Sequence, residues 1–252
     1  MKEHLLKSLK KGVRYDGRKL DEFRKVTVSY DVSKSAEGSA KVTFGGTHVL
    51  VGVKMGVETP YPDTPDRGNF MVNAELTPLS SNRFESGPPS IEAIELSRVV
   101  DRGIRESKAI DQKALCIKVA EKVWSVMVDV VTVNADGNLL DAAGLGALAA
   151  LKVARFPKYE NDIIDYMTHT DKKVPLVREP LPVTVFKIGE YLLVDPLPIE
   201  EQLADARLTI TVTGDNTICA LQKGGEVPLS SEDILSMTDI ALKIAPELRK
   251  KL

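Results

Sequence analysis

Cysteine is almost missing from this chain: two residues, Cys116 and Cys219, stand far apart in apolar stretches among 252. Two buried free thiols in a reducing compartment are expected, not a disulfide. The three histidines, His4, His48 and His169, are scattered, and there is no C-x-x-C or H-E-x-x-H spacing, which argues against a structural zinc site. Long apolar runs are also lacking. Nothing approaches the roughly 20 residues of a membrane span, and the opening MKEHLLKSLKKG has no signal-peptide core. A cytoplasmic protein with no membrane partner is expected. Neither sign of charge dominates. Against 36 acidic side chains there are 34 Lys and Arg, a net charge of −2. That excludes a non-specific nucleic-acid coat but leaves room for a local basic patch.

What is present suffices for one large domain or two modest ones that fold without metal or disulfide. The organising stretch is residues 128–150, which reads as strand, glycine turn and helix. Val128, Val130, Val131 and Val133 look too apolar for a strand with one wet face. Asp136-Gly137-Asn138 breaks the strand, and Ala142, Ala143, Gly144, Gly146 and Ala147 let the following helix lie close on a sheet. A turn that feeds N–H groups into a helix start is an anion cradle. Yet it continues Leu139-Leu140, with no hydroxyl or cation to complete a phosphate clamp.

Residues 1–12 read as a short basic amphipathic helix that docks Leu5, Leu6 and Leu9. Arg14, Asp16, Arg18, Asp21, Glu22 and Arg24 crowd one glycine and suggest a turn of reciprocal ion pairs. Strands follow at 26–30, 41–44 and 47–53, the last two joined by Gly45-Gly46. Another spans 70–76. Residues 90–110 form the strongest helix, with Leu96, Val99, Val100 and Ile104 on one face. Arg98, Arg102 and Arg105 share the opposite side. That stripe is either a solvated face or a phosphate-contacting ridge suited to arginine's fork of donors. Strands at 114–119 and 123–133 precede the small-residue helix, which Pro157 is expected to end. Residues 158–180 look polar and irregular and mark the boundary between 1–175 and 176–252. Two hairpins follow, around Gly189 and Gly214-Asp215-Asn216. The last helix starts at Ser230 with Asp233 three residues on and buries Leu235, Ile240, Ala241, Ile244 and Leu248. The fold class is α+β, mixed β-sheets backed by helices in two loosely similar halves.

Three segments carry a family resemblance: Arg14-Tyr15-Asp16-Gly17-Arg18 with Glu22 and Arg24; Ala36-Glu37-Gly38-Ser39; and Phe44-Gly45-Gly46-Thr47 with Val49-Leu50-Val51. Over nearly its whole length the chain resembles the RNase PH family of phosphate-dependent 3′→5′ exoribonucleases. Residues 96–102 and 137–143 are most similar to the non-catalytic ring subunits of archaeal exosomes. The resemblance implies an RNase PH-like fold and also identifies departures from active members. Where those carry a Thr-Arg phosphate clamp, this chain has Leu139 and Leu140. A second phosphate-binding arginine falls on Glu92. Two aspartates six residues apart, which would hold Mg²⁺, fall on Glu201 and Arg207, while Asp205 is retained. No catalytic residue and no metal or cofactor are therefore expected in this chain. Inorganic phosphate and Mg²⁺ would be used by a partner.

The same resemblance implies a ring of three heterodimers with a catalytic RNase PH-like exosome subunit. RNA-binding cap subunits would sit on one face, and Arg98 and Arg102 would contact single-stranded RNA at the partner's active site. Arg105 has no such match. The rival readings are a self-sufficient RNase PH-type phosphorylase and an RNA-carrying ring subunit of a eukaryotic-type exosome without phosphorolysis.

Overall fold

The computed structural model describes residues 1–252. The first half runs α1 (Lys2–Leu9), β1 (Val26–Tyr30), β2 (Gly38–Phe44), β3 (Thr47–Glu58), β4 (Asn69–Glu75) and α2 (Ile91–Glu106). A 3-10 turn (Lys113–Leu115), β5 (Cys116–Lys118), β6 (Lys122–Asn134) and α3 (Leu139–Val153) follow. Then come β7 (Arg155–Glu160), β8 (Ile163–Lys173), β9 (Leu181–Ile188), β10 (Tyr191–Val194), α4 (Pro198–Gln202), β11 (Ala206–Val212), β12 (Ile218–Gly224) and α5 (Ser231–Arg249).

The first sheet has the order β1-β2-β3-β6-β4, with β5 also on β6; it is mixed because β4 runs parallel to β6. The second, β10-β9-β11-β12, is wholly antiparallel. Alternation along β3 turns Val49, Val51, Val53 and Met55 inward, where they join Val126, Val128 and Val130 of β6 in the main core.

α3 lies between the two sheets and is buried on nearly every side, which is why it is apolar all round and has no wet stripe. Its small residues set how close it can lie. A Cβ on Gly144 would come within 2.2 Å of Pro182 Cγ on β9, and one on Gly146 within 2.7 Å of Val51 Cγ2 on β3. Along β9, Pro182 and Thr184 meet α3, whereas Phe186 and Ile188 on the same face receive Leu5 and Leu9 of α1. The opening helix, which lies in the N-terminal half of the sequence, thus docks on the second sheet. Val183 and Val185 face the other way and pack on Met237, Ala241 and Ala245 of α5.

The structure departs from the sequence expectation in several places. The charged segment 14–24 is ordered by distant partners more than by its own acids. Arg14 reaches Glu200, and Arg18 and Arg24 reach Asp195. Val131 and Val133 are only half-buried, since β6 alternates like its neighbours. α2 stops at Glu106, ahead of Lys108 at φ 54. α3 stops at Val153, so Pro157 lies within a strand. Residues 155–173 form an antiparallel hairpin turned by Asn161 and Asp162, both at positive φ. β8 is exposed almost throughout, so no apolar alternation announced it. Leu235 is 67% exposed, and Met237 and Ala245 take its place in the core. The short α4 was not anticipated. Cys116 and Cys219 are unpaired but half-buried. No helix is long and apolar enough to cross a membrane.

Candidate functional site

The turn before α3 is held from two sides. Gly137 at φ 85 and Asn138 at φ 58 are residue types that tolerate the left-handed region. A Cβ on Gly137 would lie 2.3 Å from the Pro196 carbonyl. The Thr47 hydroxyl donates to the Gly137 carbonyl at 2.6 Å and accepts the Asp136 N–H at 3.1 Å. Arg24 donates to the carbonyls of Asp136 and Gly137 and spans Asp195 with Nε and Nη2. Other members of the signature segments are scaffold in the same way. Arg14, 1% exposed, donates to both oxygens of Glu200 and to the Val194 and Asp195 carbonyls. The Glu37 carboxylate accepts from Lys54 and from the Met55 N–H.

A carboxylate of the chain itself reaches the anion cradle at the start of α3. Glu201, on α4, accepts the Asn138 N–H at 3.3 Å. Burial pushes its carboxyl up from the ordinary value, and Glu92 adds to that; the Asn138 N–H, Arg207 and Arg83 oppose it.

Glu201 lines a cleft of about 290 Å³ together with Glu92, Leu139, Leu140 and Arg207. Four elements, α2, α3, α4 and β11, bring these five residues to one place. Arg83 and Glu95 complete it, and neither was singled out from the sequence. The Arg207 guanidinium pairs with Glu95 at 2.6 Å and lies over Gly224, where a Cβ would meet its Cζ at 2.4 Å. Three carboxylates and two guanidiniums therefore share the cleft. An incoming phosphate would find a carboxylate on the Asn138 N–H at the helix start and one cation already paired. The three carboxylates are not grouped closely enough to hold a metal ion, nor do three His, Cys, Asp or Glu side chains converge elsewhere. Asp205 does not line the cleft; it accepts from Lys2 of α1 and from the Gly189 N–H at 2.7 Å.

α2 carries the arginine stripe on a face away from its core contacts. Ser90 caps the helix by accepting the Ala93 N–H at 3.2 Å. Ala93, Leu96, Val99, Val100, Gly103 and Ile104 are buried. The three arginines then divide. Arg105 is tied down, with Nε and Nη2 on Asp101 at 3.0 and 2.8 Å and Nη2 also on the Phe70 carbonyl at 2.7 Å. The hydrogen bonds it donates to Asp101 hold its pKa above the ordinary arginine value. Arg98 and Arg102 are exposed and make neither hydrogen bond nor ion pair within the chain. They flank a shallow groove of about 290 Å³ against Met71 and Val72 of β4. Two free forks of donors one helical turn apart can grip successive anionic groups; the spacing alone could not separate them from Arg105.

Residues 22–157 match domain 1 of the 3′ exoribonuclease family, and residues 179–244 match domain 2. The chain is 46% identical over 256 residues to a protein of Methanopyrus kandleri named Exosome complex component Rrp42, covering 99% of this chain and 95% of that protein. It is likewise 46% identical over 250 residues to the protein of that name from Archaeoglobus fulgidus, covering 99% and 95%. Among solved structures, a chain of the Archaeoglobus fulgidus exosome with RNA bound to the active site superimposes with a TM-score of 0.93 at 46% identity, covering 99% of this chain and 96% of that one. A chain of an archaeal exosome core gives 0.88 at 43%, covering 99% and 95%.

Proposed function

The chain belongs to the 3′ exoribonuclease family of RNase PH type, and on that premise we propose that it is the catalytically silent ring subunit of an exosome of archaeal type. It alternates with an active homologue as three heterodimers in a closed ring, which RNA-binding caps cover on one face. It acts in the cytoplasm. The supported reaction is phosphorolysis of RNA from the 3′ end. The partner uses inorganic phosphate and Mg²⁺; this chain uses neither.

The observation that carries the silent role is the state of the chain's own cleft. The Leu139 and Leu140 side chains offer no donor or charge, Glu201 takes the Asn138 N–H, and Arg207 is paired with Glu95. At about 4 Å and an effective dielectric near 20, two like unit charges repel by roughly 4 kcal/mol. A phosphate beside Glu201 and Glu92 thus meets repulsion of the order that its remaining contacts would have to overcome. A self-sufficient phosphorylase is disfavoured on this ground. The active role left to the chain is to bring Arg98 and Arg102 to the partner's active site. There their unpaired guanidiniums take RNA phosphates and hold the strand for the partner's chemistry. Net charge near zero suits a strand gripped by a local patch inside a ring. Similarity to archaeal exosome components at 43–46% identity favours phosphorolysis over the eukaryotic-type alternative.

The test is reconstitution. The isolated chain, given RNA, phosphate and Mg²⁺, is expected to release no nucleoside diphosphate. Mixed with an active homologue it is expected to form a species near six chains in mass whose RNA degradation requires phosphate. Diphosphate release by the chain alone would refute the silent role.

A further inference from the structure

At the C-terminal end of α2 a second, larger cleft of about 390 Å³ opens beside Arg105. Its rim carries Arg67, Arg105, Lys108 and Lys113, and its floor includes Ile104 and Ile110. Asp111, which also lines it, is engaged in receiving the N–H groups of Lys113 and Ala114 at 3.0 and 3.3 Å. Arg67 and Lys113 share Asp66 only at 3.8 and 3.7 Å, and Lys113 is 69% exposed. Lys108 makes no side-chain hydrogen bond or ion pair; its backbone, at φ 54, is where the chain leaves the helix. A concave site with an apolar floor and a cationic rim fits a ligand with an anionic backbone and less polar faces.

The cleft lies next to the groove beside Arg98 and Arg102, on the same two elements. Arg102 and Arg105 are three residues apart on α2, and Met71 of the groove follows Phe70 of the cleft on β4. Arg102 and Arg105 are about 4.5 Å apart along the helix axis, at about 1.5 Å per residue. We propose that this cleft is a second RNA-backbone site, which takes one or two nucleotides beyond those held by Arg98 and Arg102 and uses Lys108 and Lys113 as phosphate contacts. Arg105, fixed by Asp101 and the Phe70 carbonyl, forms the wall between them. Charge and continuity along both elements select single-stranded RNA as the occupant: a strand leaving the free arginines in this direction passes next over the cationic rim. The inference rests on the reading of Arg98 and Arg102 as RNA contacts.

The assembled ring tests it with end-labelled oligoadenylates of increasing length, bound without phosphate or Mg²⁺ over a salt series. Binding by the native ring is expected to strengthen with length to a plateau. Lys108→Glu with Lys113→Glu is expected to bring that plateau in by one or two nucleotides. It should also lower the salt slope for long RNA by about 1.4, at roughly 0.7 per lost contact, and leave the shortest bound RNA unaffected. Arg98→Glu with Arg102→Glu is expected to weaken RNA of every length. An unchanged plateau and slope in the lysine pair, with the arginine pair impaired, would overturn the second site alone. An arginine pair with native binding would instead overturn the reading it rests on. Dissociation of the ring in both the lysine-reversed pair and Lys108→Ala with Lys113→Ala would assign the cleft to a protein partner and overturn the proposal.

Discussion

Asp141 makes the stability of this chain depend on pH in a calculable way. It lies in the first turn of α3 with no exposed surface. One carboxylate oxygen accepts from the Thr184 hydroxyl of β9 at 2.7 Å and the other from Asn138 Nδ2 at 3.1 Å. Burial, reinforced by the charge of Asp195 across Asn138, raises its pKa from 3.8 to about 7 against those two hydrogen bonds. The folded value lies above the unfolded one, so folding takes up a proton. The contribution is fully present below about pH 4 and is lost as pH rises through 7. At about 1.4 kcal/mol per unit the whole effect is about 4 kcal/mol, of which about 2–3 kcal/mol falls between pH 5 and pH 8. Asp141→Asn removes the ionisation and keeps the shape. Its carbonyl can accept from Asn138, and its amide can donate to Thr184 Oγ1, which lies 2.9 Å from Thr209 Oγ1 as an alternative acceptor. Urea melts of both proteins at pH 5 and pH 8 cancel every other titrating group. The stability difference is expected to shift by about 2–3 kcal/mol in favour of the asparagine at the higher pH. The same difference at both pH values would refute the reasoning.

Two further perturbations follow from the ion pairs. Arg14→Met strands Glu200 in a site from which both side chains are fully excluded from water. It should cost about 3–5 kcal/mol in chemical melts, and Glu200→Met in the same chain should recover most of that. Arg207→Asp removes the partner of Glu95 and adds a fourth carboxylate to the cleft. Because the parts of a phosphate-and-metal site act as a unit, the isolated variant should still release no nucleoside diphosphate from RNA.

Much of this could be read from residues in order. The β2–β3 hairpin follows from Gly45-Gly46 between alternating apolar runs, the closeness of α3 from its glycines and alanines, and the buried face of α2 from Leu96, Val99, Val100 and Ile104. Local signals failed where the partner was remote. Nothing near Arg14 names Glu200, and nothing near Glu201 says that its carboxylate will meet the Asn138 N–H. The β7–β8 hairpin was hidden because its outer strand is wet and carries no period of two. At the site, only the family resemblance joined Glu92, Leu139, Leu140, Glu201 and Arg207, since nothing local to any of them names the others. That Arg83 and Glu95 share their cleft needed three dimensions. The arginine stripe shows the same limit. Periodicity gave Arg98, Arg102 and Arg105 equal standing, and only the bonds Arg105 donates to Asp101 and the Phe70 carbonyl set it apart.

The proposed role turns on whether this chain lends its free arginines to another subunit's reaction. The direct measurement is phosphorolysis by a ring built from the active homologue and this chain carrying Arg98→Glu with Arg102→Glu, its assembly checked by light scattering. Neither side chain touches the core, so the chain should fold as the native one does, and the scattering mass shows that the ring has formed. The account predicts slowed release of nucleoside diphosphates. It also predicts a salt slope for single-stranded RNA binding lowered by about 1.4, two contacts at roughly 0.7 each. A fully assembled ring with native activity and native slope would contradict it and leave the chain a structural part only.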